Sequence, residues 1–288
     1  MSLPFRRLAL GGGGVKGILH IGALQELSKH QSLIFPDGVY GTSIGSIIGT
    51  YIAFELPFEK SIDLVKKYLN FERIVPKPNF IYMAKALSTK GMFSMDLFEQ
   101  NLIDMFEEAG LDIKDKTISD AKMPLHIVSS NITKGTPTIF SKDVPILDAI
   151  KCSCCIPGIF KPQELYGNLY VDGDVFSPSM TRLLPNNENT LILSLPKSTY
   201  QKLTPQTIDK ISPIDYIHDL YVMTMIQFYK SHKTANTVAL QYPNLKSTSN
   251  LNEFDVNHIL EVAGNTLRTF ITQSTDQKRS ESISPRLS

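Results

Sequence analysis

Cysteine is scarce in this sequence, and its placement is informative. The three cysteines, Cys152, Cys154 and Cys155, crowd too closely to close useful loops and are one ligand short of a structural zinc site. That excludes a disulfide scaffold and points to a reduced, intracellular protein. Long apolar runs are also lacking: the best, Ile44 to Phe54, carries Ser46 and Thr50 and falls well short of the roughly 20 residues of a spanning helix. The start, MSLPFRRLALGGGG, has only a few apolar residues before its glycines, against roughly 7 to 15 in a signal peptide. Charge of neither sign is in excess. Lys plus Arg (29) nearly cancels Asp plus Glu (28), and the basic residues fall in short pairs such as Arg6-Arg7 and Lys66-Lys67, so nucleic acid is not an expected partner.

What is present describes a well-cored globular chain: 288 residues, 42% apolar and 20% charged. No repeat, long linker or domain boundary interrupts it, so residues 1–274 read as one domain. Residues 275–288 are polar and unperiodic and read as a disordered, frayed tail.

Two strand-turn-helix units open the chain. Leu8-Ala9-Leu10 runs into Gly11 to Gly14 and a buried helix from Val15 to Ser28; Val39-Tyr40 runs into Gly41-Thr42-Ser43 and a second from Ile44 to Glu55. This repetition is the grammar of a parallel α/β sheet. Amphipathic helices follow from Pro57 to Leu69 and from Phe98 to Ala109, the second stopping at Gly110. Leu125 to Ser129, Thr138 to Phe140, Leu169 to Val171 and Leu191 to Leu195 read as strands, the last as a central parallel one. Ile214 to Tyr229 is apolar nearly all round, which predicts a buried helix or else a lipid-facing one.

Three stretches carry chemistry. Four adjacent glycines, Gly11 to Gly14, between a strand and a helix leave the backbone N–H groups open to an anion or a developing oxyanion. Gly41-Thr42-Ser43-Ile44-Gly45 matches G-x-S-x-G between a strand and a helix, the context in which a strained elbow exposes a nucleophilic serine. Asp172-Gly173-Asp174 ends a strand, on the side where open α/β sheets place their sites.

Two other classes fit some of these residues. Gly12, Gly14 and Gly17 satisfy the dinucleotide fingerprint G-x-G-x-x-G, but the candidate ribose-binding acid, Asp37, precedes the second strand instead of ending it. A carboxylesterase of the α/β-hydrolase type would use Ser43, Asp172 and one of His218, His232 or His258. That fold builds several strands before its elbow, and here only one precedes the elbow strand.

Together the glycine loop, the elbow and the distant Asp172-Gly173 resemble the patatin-like phospholipases, from Leu8 to about Pro178, with a weaker echo in Asn189 to Leu195. The run from Asp148 to Pro162, with Pro157-Gly158-Ile159-Phe160-Lys161-Pro162 at its end, is similar to that family's small-residue helix and the segment after it. The resemblance implies a three-layer α/β/α sandwich with a mostly parallel central sheet. It implies a Ser-Asp dyad needing neither histidine, metal nor cofactor, with Ser43 as nucleophile and Asp172 as base. Gly12, Gly13 and Gly14 would supply the oxyanion hole, Gly17, Gly41 and Gly45 would shape the turns, and Lys16 would orient the loop or pair with a phosphate head group. The cysteines become small packing residues. The implied substrate is a phospholipid or related glycerolipid, met at a lipid surface by a cytoplasmic, at most peripheral, protein. Two positions depart from the family pattern: Asp174 stands where Gly or Ala is usual, and Ser177 where Asn is common. Asp174 is therefore a possible second carboxylate.

Overall fold

In the computed structural model the described residues are 4–75, 88–178, 180–184, 189–196, 203–211, 213–231, 234 and 236–283. Strand β1 (Arg7–Leu10) leads through a 3₁₀ turn (Gly14–Gly17) into helix α1 (Ile18–Leu27), and β2 (Val39–Thr42) leads directly into α2 (Ile44–Ala53). Helices α3 (Ser61–Tyr68) and α4 (Phe71–Ile74) follow, then β3 (Gly91–Phe93) and α5 (Asp96–Glu108). Next come β4 (Leu125–Asn131), β5 (Thr136–Phe140), α6 (Ile146–Cys154), β6 (Gly158–Phe160), β7 (Gln163–Leu165) and β8 (Asn168–Asp172). The chain continues with β9 (Thr190–Ser194), α7 (Pro213–Ser231), β10 (Thr237–Ala239) and α8 (Val256–Ile283).

The main sheet has the order β10-β9-β1-β2-β4-β8-β7, with β5 also paired to β4. From β10 to β4 all neighbours are parallel; β5, β8 and β7 join antiparallel. The parallel strands at the centre are buried on both faces, as their unbroken apolar runs require: Leu8, Ala9, Leu10, Leu191 and Leu193 are fully excluded from solvent. On one face α1, α2, α5, α6 and α8 bury Ile18, Leu24, Ile47, Phe106, Ile150 and Leu267 against Leu10, Val39 and Ile127. Each such apolar side chain contributes ~1.5–3 kcal/mol through removal from water. The other face carries Met180, Leu183 and Leu184 over Ala9, Val128 and Ile192, and the Arg182 guanidinium stands 5.0 Å from the Phe228 ring of α7. The mixed α/β fold with its mostly parallel central sheet follows the sequence pattern.

Two segments gain detail. The segment Ile214 to Tyr229 lies within α7, but it is not buried all round: Val222 and Met225 are covered while Tyr216 and Leu220, one turn apart, are exposed. Residue type alone cannot tell which face of a helix meets a neighbour. Residues 275–283 continue α8 as helix to Ile283. Gln277, Lys278, Arg279 and Glu281 are good helix formers, so a helix already begun extends through them without an apolar stripe.

Candidate active site

The placement of Ser43 relative to Asp172 rests on one strand, β4, which has two edges. Along one edge β5 pairs with Ile127 to Asn131; along the other β2 pairs with Leu125 to Val128 and β8 with Ser129 to Asn131. On that shared edge β2 and β8 run toward each other and stop at consecutive positions, Thr42 opposite Val128 and Asp172 opposite Ser129. Their C-terminal ends therefore meet, bringing the residue after Thr42, which is Ser43, to the end of β8. The contact is tight: a Cβ on Gly173 would stand 2.8 Å from Thr42 Cγ2 and collide with Val128 O. Only glycine fits between the two ends.

Ser43 has φ 53° and ψ −127°, the strained backbone of an elbow, and is nearly buried at 8% exposure. Its N–H donates to Ser153 Oγ at 2.9 Å, Ser153 Oγ donates to Val128 O at 2.6 Å, and Ser43 O accepts from Ser46 Oγ at 2.6 Å. Gly45 packs so closely on β1 that a side chain would strike Leu10 O, and one on Gly41 would strike Gly45 O. Helix α2 starts at the next residue, so its positive end adjoins the serine.

The glycine loop lies beside this junction. Gly11 N–H donates to Leu193 O at 2.9 Å and Val15 N–H to Ser247 O at 3.0 Å, whereas among the described residues nothing accepts from the N–H groups of Gly12, Gly13 and Gly14. Buried Lys16 donates through Nζ to Leu195 O at 3.3 Å and Pro196 O at 3.0 Å, so its ammonium ties the loop to the chain beyond β9. Gly17 packs on Ile44. The loop also meets the Asp172–Asp174 turn, since a Cβ on Gly12 would stand 2.5 Å from Asp174 Oδ2. Asp172 and Asp174 are 6% and 7% exposed, and Asp172 Oδ1 accepts the Asp174 N–H at 2.9 Å. Three stretches far apart in sequence thus form one corner at the C-terminal ends of the parallel strands.

A family profile described as patatin-like phospholipase matches residues 8–184. The chain belongs to the patatin-like phospholipase family. Relatives include "Uncharacterized protein R571" of Acanthamoeba polyphaga mimivirus, 32% identical over 178 residues that make up 58% of this chain and 57% of that protein. "Probable lipid hydrolase 463L" of Invertebrate iridescent virus 6 is 26% identical over 239 residues, 78% of this chain and 75% of that one. The chain spans about half the length of the first curated relatives it matches, 57% of the mimivirus protein and 44% of an NTE family protein from Mycobacterium bovis. Full-length ExoU in complex with SpcU, from Pseudomonas aeruginosa, covers 94% of this chain and 52% of its own with a TM-score of 0.53 at 14% identity, a likeness of fold.

Of the three histidines that a triad could use in this patatin-like chain, one has a described side chain. His258 is exposed and meets the Tyr242 hydroxyl at 2.9 Å through Nδ1; the side chain of His218 and all of His232 lie outside the described residues. Two residues that pattern reading passed over belong to the corner: Ser153, which seats the Ser43 amide, and His20, fully buried with Nε2 2.8 Å from Gly11 O. The three cysteines are free and buried. Burial pushes the Cys155 thiol to about 12, and burial together with the Asp172 carboxylate holds Cys154 far above its usual range, so both are inert packing thiols. Among the described residues no helix is long and apolar enough to cross a membrane, and no group of His, Cys, Asp or Glu is disposed to hold a metal.

Proposed function

We propose that the protein is a lipid acyl hydrolase of the phospholipase A type, working through a Ser43-Asp172 dyad and an acyl-enzyme. The observation that carries this reading is the head-to-head meeting of β2 and β8 on one edge of β4, beside three backbone N–H groups that have no partner among the described residues. Ser43 Oγ attacks the ester carbonyl and passes its proton to Asp172. The N–H groups of Gly12, Gly13 and Gly14 hold the tetrahedral oxyanion, which collapses to release the alcohol with that proton. Water then attacks the acyl-Ser43 ester, again giving its proton to Asp172, and the fatty acid leaves. A carboxylate is a weak base toward a hydroxyl in water, so the near-complete burial of both side chains supports the direct transfer.

Glycerolipid substrates imply work at a lipid surface. Tyr216 and Leu220 on α7 are exposed, as are Ile132, Tyr166 and Leu169 on the hairpins beyond the corner. Side chains of this kind seat at the boundary between head groups and acyl chains. We assign the enzyme to the cytoplasm as a peripheral lipid-surface protein. The test is fatty-acid release from phosphatidylcholine, lysophosphatidylcholine and diacylglycerol vesicles by the wild type and Ser43→Ala. Release by the wild type and a loss on the order of 10³-fold or more in a folded Ser43→Ala are expected. Equal release by the two proteins would remove the hydrolase reading.

A further inference from the structure

His20 is buried completely within α1, far from solvent and from any role as a proton shuttle. Its Nε2 lies 2.8 Å from Gly11 O. A carbonyl oxygen can only accept, so Nε2 carries the proton and donates, leaving Nδ1 as a bare nitrogen; that atom has no partner among the described residues. Burial first, then the charge on Lys16, hold the ring neutral, with a pKa lowered to about 4.

The atom that His20 holds matters because of peptide geometry. Gly11 C=O and Gly12 N–H belong to one planar trans unit and point in opposite directions, so fixing the oxygen fixes the direction of the N–H. Glycine on both sides of that unit leaves it free to flip at little steric cost, and a flip would reverse the Gly12 N–H. The Gly11 N–H bond to Leu193 O anchors the preceding unit and cannot prevent the flip.

We propose that His20 is the positioning residue of the oxyanion loop, a neutral imidazole that aims the Gly12 N–H by holding the Gly11 carbonyl. Its catalytic consequence rests on the loop being the oxyanion hole of the hydrolase described above. His20 touches no substrate. It acts through one peptide plane, which predicts an effect on turnover instead of binding.

Two substitutions separate the donor from the volume. His20→Gln keeps an N–H at similar reach, while His20→Phe keeps the ring and loses the donor. Hydrolysis of a monomeric nitrophenyl ester and the glycine amide resonances of ¹⁵N-labelled protein are read together. For His20→Phe, kcat should fall by on the order of 10- to 10²-fold with KM within about 3-fold, and the Gly12 amide signal should move. His20→Gln should stay within about 5-fold of wild type. Unchanged kcat and an unmoved Gly12 amide in His20→Phe would overturn the proposal, as would a folded His20→Gln as impaired as His20→Phe. Should neither variant fold, the imidazole ¹⁵N shifts of the wild type at neutral pH decide: an Nε2–H tautomer is expected, and an Nδ1–H tautomer or an imidazolium overturns it. A wild type that cleaves no ester, with the Gly12 amide still displaced in His20→Phe, supports the positioning role while removing the hydrolase reading.

Discussion

The turn after β1 and the turn after β2 both carry a strand into a helix, yet one presents backbone and the other a side chain. The elbow at Ser43 is held by its immediate surroundings: Ser46 bonds back to Ser43 O, Ser153 takes the Ser43 N–H, and Gly45 lets α2 sit on Leu10. The glycine loop has no side chain with which to hold itself. It is fixed from outside, by Leu193 O and Ser247 O, by His20 on Gly11 O, by Lys16 on Leu195 and Pro196, and by contact with Asp174. A turn that offers a nucleophile needs a strained backbone at one residue, whereas a turn that offers N–H groups needs many weak anchors. Substitutions at the first should therefore be all-or-none, and those around the second graded.

The largest effect tests the first half of that contrast. Asp172→Asn should cost on the order of 10³-fold in turnover, close to Ser43→Ala, and the double variant little more, because nucleophile and base act as a unit. Asp174→Asn should be mild and His258→Ala without consequence. An inactive Asp174→Asn beside an active Asp172→Asn would move the base, and a dead His258→Ala would break the dyad.

The loop half predicts a graded and repairable loss. Gly12→Ala pushes its methyl against Asp174 Oδ2, and turnover should drop by roughly 10²-fold as the donors shift. Asp174→Gly opens that space, so Gly12→Ala with Asp174→Gly should recover most of the loss. A double variant no better than Gly12→Ala would mean that the contact does not transmit the damage.

The contrast also explains what was legible in the chain. Glycine spacing, the elbow motif and the apolar runs of β1, β2 and β9 are local, and each was readable within a few residues. The meeting of β2 and β8 was not, because it depends on the register of both against β4. His20 escaped for a related reason: a buried histidine on an apolar helix looks like packing until the acceptor in front of it is known. The periodicity of α7 left a buried and a lipid-facing helix both open, because it weighs residue types and cannot see neighbours. Least legible was the rear of the molecule, where Glu26 and Arg268 join across 242 positions and bind α8 to α1.

That rear seam sets a smaller effect. A Cβ on Gly22 would stand 2.6 Å from Leu260 O, so Gly22→Ala should force α8 outward and destabilise by roughly 1–3 kcal/mol, leaving kcat of the folded fraction unchanged. Loss of kcat at an unchanged unfolding midpoint would show that the seam and the corner are one system.

The smallest effect separates the two regions by pH. Glu26, nearly buried, accepts from Arg268 at 2.7 and 2.8 Å, from Lys29 at 2.8 Å, and lies 3.2 Å from His30. Arg268 above all holds its carboxyl at about 2 against an ordinary 4.5, with burial opposing. Below 4.5 the unfolded chain binds a proton that the folded one refuses, so this contribution is complete above 4.5 and drains as pH falls toward 2. His20 follows the same sign in a higher window: held neutral to about 4 against 6.5, it refuses a proton that the unfolded chain takes, and stability drains as pH falls from 6.5 toward 4. Unfolding midpoints measured from pH 7 to 2.5 should then fall in two stages. His20→Gln should shrink the upper stage alone, leaving the share of His126, which burial and Arg7 also shift down, and Arg268→Ala should shrink the lower stage alone. If Arg268→Ala shrank the upper stage, or His20→Gln left it unaltered, the acid response could not be divided between the glycine loop and the seam.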